Sequence, residues 1–217
     1  MARKKNPQET RQKIIETSLS LFREKGYEQT TILDIVDGLE GMTRGAFYHH
    51  FKTKEEVLFE IFEQLFDPTF FIELEKRTDL TGLEKLQRSF THHIKSEFDL
   101  KDKELSMAYF LTLKNPRILA EHIDMTRGQM VEWTLPYVEL GIEDGSIREQ
   151  DPRLLTEFIL IMANFWLLPA LYPGGFEYGS KKVQMMKEQL ESLGCPLIDL
   201  EMEDAIHRHV LCFMEEN

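Results

Sequence analysis

Apolar residues recur along this chain at the spacing of α-helices, and strict alternation of apolar and polar residues is almost absent. Ile15, Leu19 and Phe22 stand at i, i+4 and i+7, which places them on one face of a helix. Pro7 suits the first position of that helix, and Gly26 suits the position just after its last turn. The pattern predicts a first helix that begins at Pro7 and ends before Gly26.

Three shorter amphipathic segments follow the first helix. Thr31 is a suitable N-cap for a second helix, because a one-sided apolar stripe begins at the next residue. Thr43 can cap a third, short helix that runs to about His50. Thr53 and Glu56 have the spacing of a capping box, which predicts the start of a fourth helix.

The rest of the chain has the pattern of a bundle of longer helices. Their expected ranges are 82–99, 103–113, 116–140 with a break or kink at Pro136, 153–170, 180–193 and 199–214. A chain of 217 residues can bury the core of such a bundle without disulfides or metals. The sequence therefore predicts an all-α protein, with a small helical domain at residues 1–52 and a larger helical domain at residues 53–217.

Charge is distributed unevenly along the chain. Residues 1–54 contain ten Lys or Arg and seven Asp or Glu, a net charge of +3. Residues 55–217 contain sixteen Lys or Arg and thirty-one Asp or Glu, a net charge of −15. A basic head on an acidic body suggests that only the head approaches a polyanion. A value of +3 is modest, and chance unevenness is the alternative interpretation.

The third helix carries an unusual set of side chains. On a helix, Phe47 and Phe51 share one face and suit the core. The opposite face and its flanks carry small or polar residues: Gly45, Ala46, Tyr48, His49 and His50. Glycine costs a helix about 1 kcal/mol relative to alanine. Gly45 is therefore reasonable where another surface approaches the backbone closely.

Two helices, a short turn and a short helix, in a basic segment, indicate a helix-turn-helix, whose last helix enters the major groove of DNA. Arg44 can reach the edge of a guanine, and Ala46 can contact a thymine methyl group. Tyr48, His50 and Lys54 suit contacts with phosphates, which position the protein on the duplex. The residues predicted to bind DNA are Thr31, Thr43, Arg44, Gly45, Ala46, Tyr48, His49, His50 and Lys54.

The segment "LFREKGYEQTTILDIV…GMTRGAFYHHFKTKEEVL" resembles the DNA-binding head of the TetR/AcrR family of bacterial repressors. The resemblance extends over about residues 10–60 and includes the Gly-x-Phe-Tyr-x-His-Phe core of the third helix. It implies a two-domain, all-α homodimer that binds a near-palindromic operator and is released by a small molecule. The domain at 1–52 would bind DNA, and the domain at 53–217 would bind the ligand and dimerise.

One departure from the family pattern lies in the turn of the helix-turn-helix. The stretch "DIVDGLEGMT" is one residue longer between Asp34 and Thr43 than the family spacing. Gly38 and Gly41 can absorb an extra residue in this turn. The extra residue can change the angle between the second and third helices, and with it the individual base contacts. Phosphate contacts depend less on this angle.

Large aromatic residues and a few polar residues are concentrated between positions 82 and 140. This mixture is typical of a pocket for an apolar or amphipathic small molecule, although aromatic residues are also common in cores. The predicted ligand-binding residues are Phe90, His93, Phe98, Tyr109, Phe110, His122, Gln129 and Trp133.

The family resemblance also implies a homodimer built from the last two long helices, at 153–170 and 199–214. The first of these is apolar nearly all round, as expected for a helix buried by its own chain and by a partner. The predicted interface residues are Leu155, Ile159, Met162, Trp166, Ile206 and Val210.

No motif of a common enzyme class is present. The sequence lacks a Walker loop, a G-x-S-x-G elbow and an H-E-x-x-H motif. Because His49 and His50 point apart on a helix, no metal site is expected, and no cofactor is expected either. The chain is therefore expected not to be an enzyme. Two alternatives are a DNA-binding architectural or cell-division factor of the same fold without a ligand, and a helical enzyme.

The two cysteines, Cys195 and Cys212, form no disulfide framework, which favours a reducing compartment. The N-terminal stretch "MARKKNPQET" lacks the apolar region of a signal peptide. The longest apolar run, "FILIMANFWLLPALY", has 15 residues. A bilayer span needs roughly 20. We expect a cytoplasmic protein without a membrane partner.

Overall fold

The structure, a computed structural model, describes residues 7–39, 41–65, 69–97 and 103–211. Within these ranges every regular element is helical, so the predicted all-α fold is confirmed. The α-helices are α1 (Pro7–Lys25), α2 (Ile32–Asp37), α3 (Arg44–His50), α4 (Lys54–Leu65), α5 (Thr69–Lys76), α6 (Gly82–Glu97), α7 (Lys103–Thr112), α8 (Pro116–Met125), α9 (Val131–Glu143), α10 (Pro152–Ile161), α11 (Phe176–Ser192) and α12 (Leu200–Ala205).

The chain divides into two compact units. The first consists of Met1–Phe66 and Lys101–Thr112, and the second consists of Asp67–Leu100 and Leu113–Asn217. By packing, α4 and α7 thus belong with α1, α2 and α3. The predicted domain boundary between residues 52 and 53 stays a prediction.

The first unit has a small core between α1, the helix-turn-helix and α4. Its fully or almost fully buried apolar side chains are Ile14, Ile15, Phe22, Ile35, Val36, Phe47, Phe51, Val57, Leu58 and Ile61. They recur at helical spacing, which is why the sequence predicted these four helices. The predicted cap of α4 is also present, because Thr53 Oγ1 accepts a hydrogen bond from the Glu56 amide at 3.2 Å.

The second unit is a bundle in which α6 packs against α9 and α12, and α10 packs against α9. Single π-helical turns continue three of its helices: Thr126–Met130 after α8, Met162–Trp166 after α10 and Ile206–Val210 after α12. The helix predicted at 116–140 therefore runs from α8 through a π-turn into α9. It is not broken at Pro136, which lies inside α9.

Helix α5 and the start of α11 differ from the predicted elements. Helix α5 was not among the predicted helices, because Pro68, just before it in the sequence, is as typical of the end of one helix as of the start of the next. Helix α11 begins at Phe176 with Gly175 as its N-cap, four residues before the predicted start at 180. Among the helices of the described ranges, none is long and apolar enough to cross a membrane.

A close backbone contact joins the start of α6 to the end of α9. The Gly82 amide donates a hydrogen bond to the Asp144 carboxylate at 2.7 Å. The Leu83 amide donates to Ser146 Oγ at 3.2 Å. A Cβ atom added to Gly82 would lie 2.0 Å from the backbone nitrogen of Gly141. The two helices can approach this closely only because both contact residues lack side chains.

Candidate nucleic-acid interface

The N-terminus of α2 is held by the capping box that the sequence predicted in part. Thr31 Oγ1 accepts a hydrogen bond from the Asp34 amide at 3.1 Å, and the Asp34 carboxylate accepts one from the Thr31 amide at 2.8 Å. Lys25 Nζ lies 2.8 Å from Asp34 Oδ1. Hydrogen bonds from Lys25 and then from Thr31 hold the pKa of Asp34 well below its ordinary value. This carboxylate therefore stays ionised and keeps the first turn of α2 in place.

The turn between α2 and α3 uses two glycines for different reasons. Gly41 has a φ of 70°, in the left-handed region that favours glycine. Gly38 has an ordinary helical φ of −70° and caps the C-terminus of α2. A Cβ atom on Gly38 would lie 3.0 Å from Thr17 Cγ2 of α1. One glycine therefore turns the chain, and the other allows the turn to lie against α1.

Helix α3 begins at a side-chain cap and buries one face. Thr43 Oγ1 accepts a hydrogen bond from the Ala46 amide at 3.2 Å. Phe47 is 0% and Phe51 is 2% exposed, which confirms their prediction as core residues. Because α3 has only seven residues, this cap and these two rings account for much of its stability.

The other face of α3 is open to solvent. Arg44, Gly45 and His49 are exposed, Ala46 is half-buried, and Tyr48 is 44% exposed. A Cβ atom on Gly45 would meet only Thr43 Oγ1, at 3.9 Å. Near the N-terminal end of this face, no large side chain covers the backbone at Gly45 and Ala46, so the groove of a DNA duplex has room to approach it.

Lys52 adds an exposed cation next to this face that the sequence analysis did not single out. Its Nζ donates a hydrogen bond to the Tyr48 carbonyl at 2.7 Å, so the ammonium group lies at the C-terminal end of α3. The signal in the sequence was its position two residues after the end of α3, where a lysine can bond the last carbonyls of the helix.

Lys54, a predicted phosphate contact, lies against the loop before α2. Its Nζ donates hydrogen bonds to the carbonyls of Tyr27 at 2.6 Å and Thr30 at 3.0 Å. The same ammonium group lies 4.0 Å from the centroid of the Tyr27 ring. These contacts tie the first turn of α4 to the N-terminus of α2. The predicted contact between Lys54 and phosphate stays a prediction.

His50 stands at the end of α3, beside its neighbour His49. Their rings are 5.4 Å apart in an edge-to-face arrangement. Burial, and then the charges of His49 and Arg11, lower the pKa of His50 below its ordinary value. His50 is therefore neutral near pH 7 and can donate or accept a hydrogen bond. In the described part of the chain, no group of three or more His, Cys, Asp or Glu residues is arranged to hold a metal ion.

Comparison with known proteins identifies the family. The family model described as "Bacterial regulatory proteins, tetR family" matches residues 14–61, from α1 to α4. The HTH-type transcriptional repressor KstR2 of Mycobacterium tuberculosis is 30% identical over 176 residues, which cover 76% of this chain and 82% of that protein. The chain belongs to the TetR family. It is therefore a DNA-binding transcriptional regulator and not an enzyme, as the sequence predicted.

Other TetR-family proteins match the chain in sequence or in fold. The regulator AcrR of Shigella flexneri is 35% identical over 111 residues, which cover 49% of this chain and 51% of AcrR. The structure of RolR in complex with resorcinol is 18% identical, with a TM-score of 0.61, and covers 96% of this chain and 98% of RolR. The structure of a TetR/AcrR regulator from Thermobifida fusca is 25% identical, with a TM-score of 0.52. The match covers 82% of this chain and 96% of that regulator.

The residues predicted to bind a ligand do not share one compact unit. Tyr109 and Phe110 are buried on α7 in the first unit, where the Tyr109 ring stacks on Phe59 at 6.0 Å. The second unit contains Phe90, His93, His122, Gln129 and Trp133. His122 is buried, with its Nε2 3.3 Å from the Asn164 carbonyl oxygen, whereas Gln129 and Trp133 are exposed. Phe98 lies outside the described residues.

Most of the residues predicted for the TetR-family dimer interface lie in the core of the single chain. Leu155, Ile159, Ile206 and Val210 are all less than 7% exposed. Met162 and Trp166 are half-buried. The buried residues hold α10 and α12 inside their own chain. An interface on these helices therefore has to use their other faces.

Proposed function

We propose that this TetR-family regulator is a repressor that binds a near-palindromic operator as a homodimer and is released by a small molecule. The observation that carries the DNA-binding part is the exposed face of α3, which has a capped N-terminus and no large side chain at Gly45 or Ala46. A recognition helix contacts base edges with its N-terminal residues. The likeness to KstR2, a repressor by name, supports repression over activation.

The exposed residues of α3 divide by reach into two groups. Arg44 begins the helix and has the length and donors to contact a guanine edge. Tyr48, His49 and Lys52 lie further along and suit the phosphates on either side of the groove. The N-termini at Thr31 and Thr43 add backbone N–H groups that favour phosphate.

Replacing Arg44 with alanine should cost about 1–3 kcal/mol on the operator and relax the preference at one base position. The reason is that a bidentate contact to guanine is lost and the other base contacts are kept. Binding-site selection from random duplexes, with wild type and variant in parallel, measures both effects. Arg127→Ala is the matched control, because it removes an exposed arginine from the second unit. An unchanged preference at every position would exclude Arg44 from base contact.

A homodimer is proposed because one short recognition helix reads few base pairs. Two copies held about 34–36 Å apart occupy successive major grooves on one face of a duplex. The exposed apolar face of α10 is the first part of the proposed interface. Leu154 is 65% and Ile161 is 51% exposed, and they stand at i and i+7.

Helix α11 supplies the second part of the proposed interface. Gln150 Nε2 donates to the Leu193 carbonyl at 2.9 Å, and Lys182 Nζ donates to the Trp166 carbonyl at 3.0 Å. Residues 150–166 therefore run antiparallel to residues 182–193. On α11, Tyr178 is 53% and Met185 is 54% exposed, again at i and i+7.

Helix α12 suits such an interface less well than the sequence suggested. Apart from Leu200 at its start, the exposed residues of α12 and of the π-turn that follows it are charged: Glu201, Asp204 and Arg208. An apolar surface of two antiparallel helices is what a partner copy can cover to form a four-helix bundle. We therefore assign the proposed interface to α10 and α11.

The proposal that a small molecule releases the protein from DNA rests on its fold and on its family. RolR, which shares this fold, was solved with the ligand resorcinol. A ligand weakens DNA binding only if it favours a conformation that binds DNA poorly. The coupling is reciprocal, so operator DNA must weaken the ligand by the same factor, about 5-fold to 150-fold.

Reciprocal coupling is the expected result for any effector of this protein. A phenolic compound such as resorcinol is a reasonable first candidate, titrated with and without operator duplex. Trp133 is 45% exposed and serves as one fluorescent reporter, with isothermal calorimetry as a second measurement. A compound that binds equally well in both titrations is a passenger and not the signal. If no member of a metabolite library shows coupling, regulation by a small molecule is rejected.

A further inference from the structure

The side chain of Arg11 joins three helices of the first unit at the end of the recognition helix. Its Nη1 donates a hydrogen bond to the carbonyl oxygen of His50, the last residue of α3, at 2.9 Å. Its Nη2 lies 2.8 Å from Glu60 Oε2 of α4. The guanidinium carbon lies 4.1 Å from the ring centroid of Phe51, which caps α3. We propose that Arg11 is a positioning residue that sets the orientation of α3 for DNA recognition.

The contacts of Arg11 suit the chemistry of a helix C-terminus. The last carbonyls of a helix have no N–H partner within the helix, and a cation there is favoured by the helix dipole. Arg11 comes from α1, 39 residues before His50 and 49 before Glu60. It therefore links the end of α3 to two other helices by one side chain.

Arginine is suited to this position in a way that lysine is not. The planar guanidinium group can stack on an aromatic ring with its face and donate hydrogen bonds from its edge. Both uses are present here, since the face covers Phe51 while the edge bonds His50 and Glu60. Lysine keeps the charge, but a single ammonium group cannot reproduce this planar arrangement.

Helix α3 needs such a contact because it is too short to hold itself. A helix of seven residues is well below the length at which helices are stable in isolation. Thr43 caps its N-terminus, and Phe47 anchors its middle. At its C-terminus, Lys52 bonds the Tyr48 carbonyl, and Arg11 ties the His50 carbonyl to α1 and α4. Without Arg11 the helix can tilt about Phe47. A tilt moves Arg44 and its neighbours relative to the bases, and a small misplacement weakens specific contacts more than phosphate contacts.

The same geometry argues against a phosphate contact for Arg11. Two of its nitrogens already donate to acceptors of the protein, and its charge is offset by Glu60. A phosphate contact contributes to affinity for every sequence and to the salt dependence. A positioning residue contributes mainly to the ratio of the affinity for the operator to the affinity for unrelated DNA.

This inference rests on the proposed DNA binding by α3, and its test compares four full-length variants with wild type. Arg11→Gln removes the cation, Arg11→Lys keeps the charge, and Glu60→Gln weakens the ion pair. Lys13→Gln is the matched control, because it removes one charge from an exposed position on the same helix. The probes are the duplex that wild type selects from a random library and an unrelated duplex of the same length.

We expect Arg11→Gln to bind the selected duplex about tenfold or more weakly, since hydrogen bonds from a charged donor are among the stronger ones. Its affinity for the unrelated duplex should stay within about twofold, and its salt slope should equal that of wild type. Arg11→Lys and Glu60→Gln should show smaller losses of the same kind. Lys13→Gln should leave the ratio of the affinities for the two duplexes unchanged.

Two results in these titrations would overturn the proposal. Equal weakening on both duplexes, with the salt slope reduced by about 1, would make Arg11 a phosphate contact. Unchanged affinity for the selected duplex would make its contacts dispensable. If Arg11→Gln does not fold, Arg11→Lys and Glu60→Gln decide the question by the same criteria.

A readout without DNA separates this proposal from the proposed function. The Phe51 amide donates the last backbone hydrogen bond of α3, to the Phe47 carbonyl. Native-state hydrogen exchange at this amide should become about tenfold faster in Arg11→Gln but not in Lys13→Gln. Exchange in α6 should not change. If wild type selects no sequence at all, the proposed function fails, and this exchange experiment still tests whether Arg11 holds α3. Unchanged exchange at Phe51 rejects the role of Arg11 whatever the DNA results are.

Discussion

Replacing Ile161 with lysine is expected to give a folded monomer whose operator affinity is about a hundredfold or more below that of wild type. Ile161 is 51% exposed in the single chain, so a lysine there is solvated in the monomer. In the proposed interface, the same lysine would be an unpaired charge buried against apolar side chains. Loss of the second recognition helix removes the gain from bivalent binding, which is commonly 10²–10⁴. Sedimentation velocity and operator titration measure the two effects.

Two control substitutions locate the interface. Leu200→Lys changes a leucine that is 82% exposed at the start of α12, and it should leave the dimer intact. Ile159→Lys changes a side chain that is 0% exposed, and it should unfold the chain instead of giving a folded monomer. A dimer of wild-type affinity in Ile161→Lys would exclude the outer face of α10. A wild-type monomer at micromolar concentration would exclude the homodimer.

Replacing Gly82 with alanine is expected to lower the free energy of unfolding by roughly 3 kcal/mol or more, at or beyond the upper end for overpacking. The new Cβ atom would lie 2.0 Å from the Gly141 nitrogen and 2.5 Å from the Tyr137 carbonyl oxygen. These are backbone atoms of α9, which cannot rotate away as a side chain can. The clash therefore separates α6 from α9. Denaturant unfolding followed by circular dichroism measures the loss.

Gly128→Ala is the matched control for this substitution. A Cβ atom on Gly128 would meet nothing within 4 Å, and the residue lies within a helical segment. The higher helix propensity of alanine should leave stability unchanged or raise it by up to about 1 kcal/mol. Similar free energies of unfolding for the two variants would show that the contact between α6 and α9 relaxes easily.

The helix-turn-helix could be predicted from sequence because its determinants are local. Thr31 and Thr43 each cap a helix through the amide three residues further on, and Phe47 and Phe51 share a face because of helical spacing. The same short-range rules located most helices of the bundle. They did not locate α5, since one proline can end a helix or begin the next.

The uses of individual cations could not be predicted from the sequence. Lys54 and Arg11 both count toward the +3 charge of the first 54 residues. The structure places Lys54 on carbonyls 24 and 27 residues away, and Arg11 on partners 39 and 49 residues away. No periodicity carries information over such distances. Charge counting therefore overstates how many cations of this segment face outward.

The sequence by itself determined most of the helices, the caps of α2, α3 and α4, the core face of α3 and the family, because these depend on neighbours within a few turns. The tertiary structure decided which face of α10 is left open and that α11 runs antiparallel to it. The proposed interface therefore uses α11, and the helix at 199–214 that the family resemblance implied stays an untested alternative. A helix that is apolar nearly all round does not reveal which side its own chain covers. Burial of Leu155 and Ile159 against the rest of the bundle settles that choice, since side chains packed inside one chain are not available to a partner.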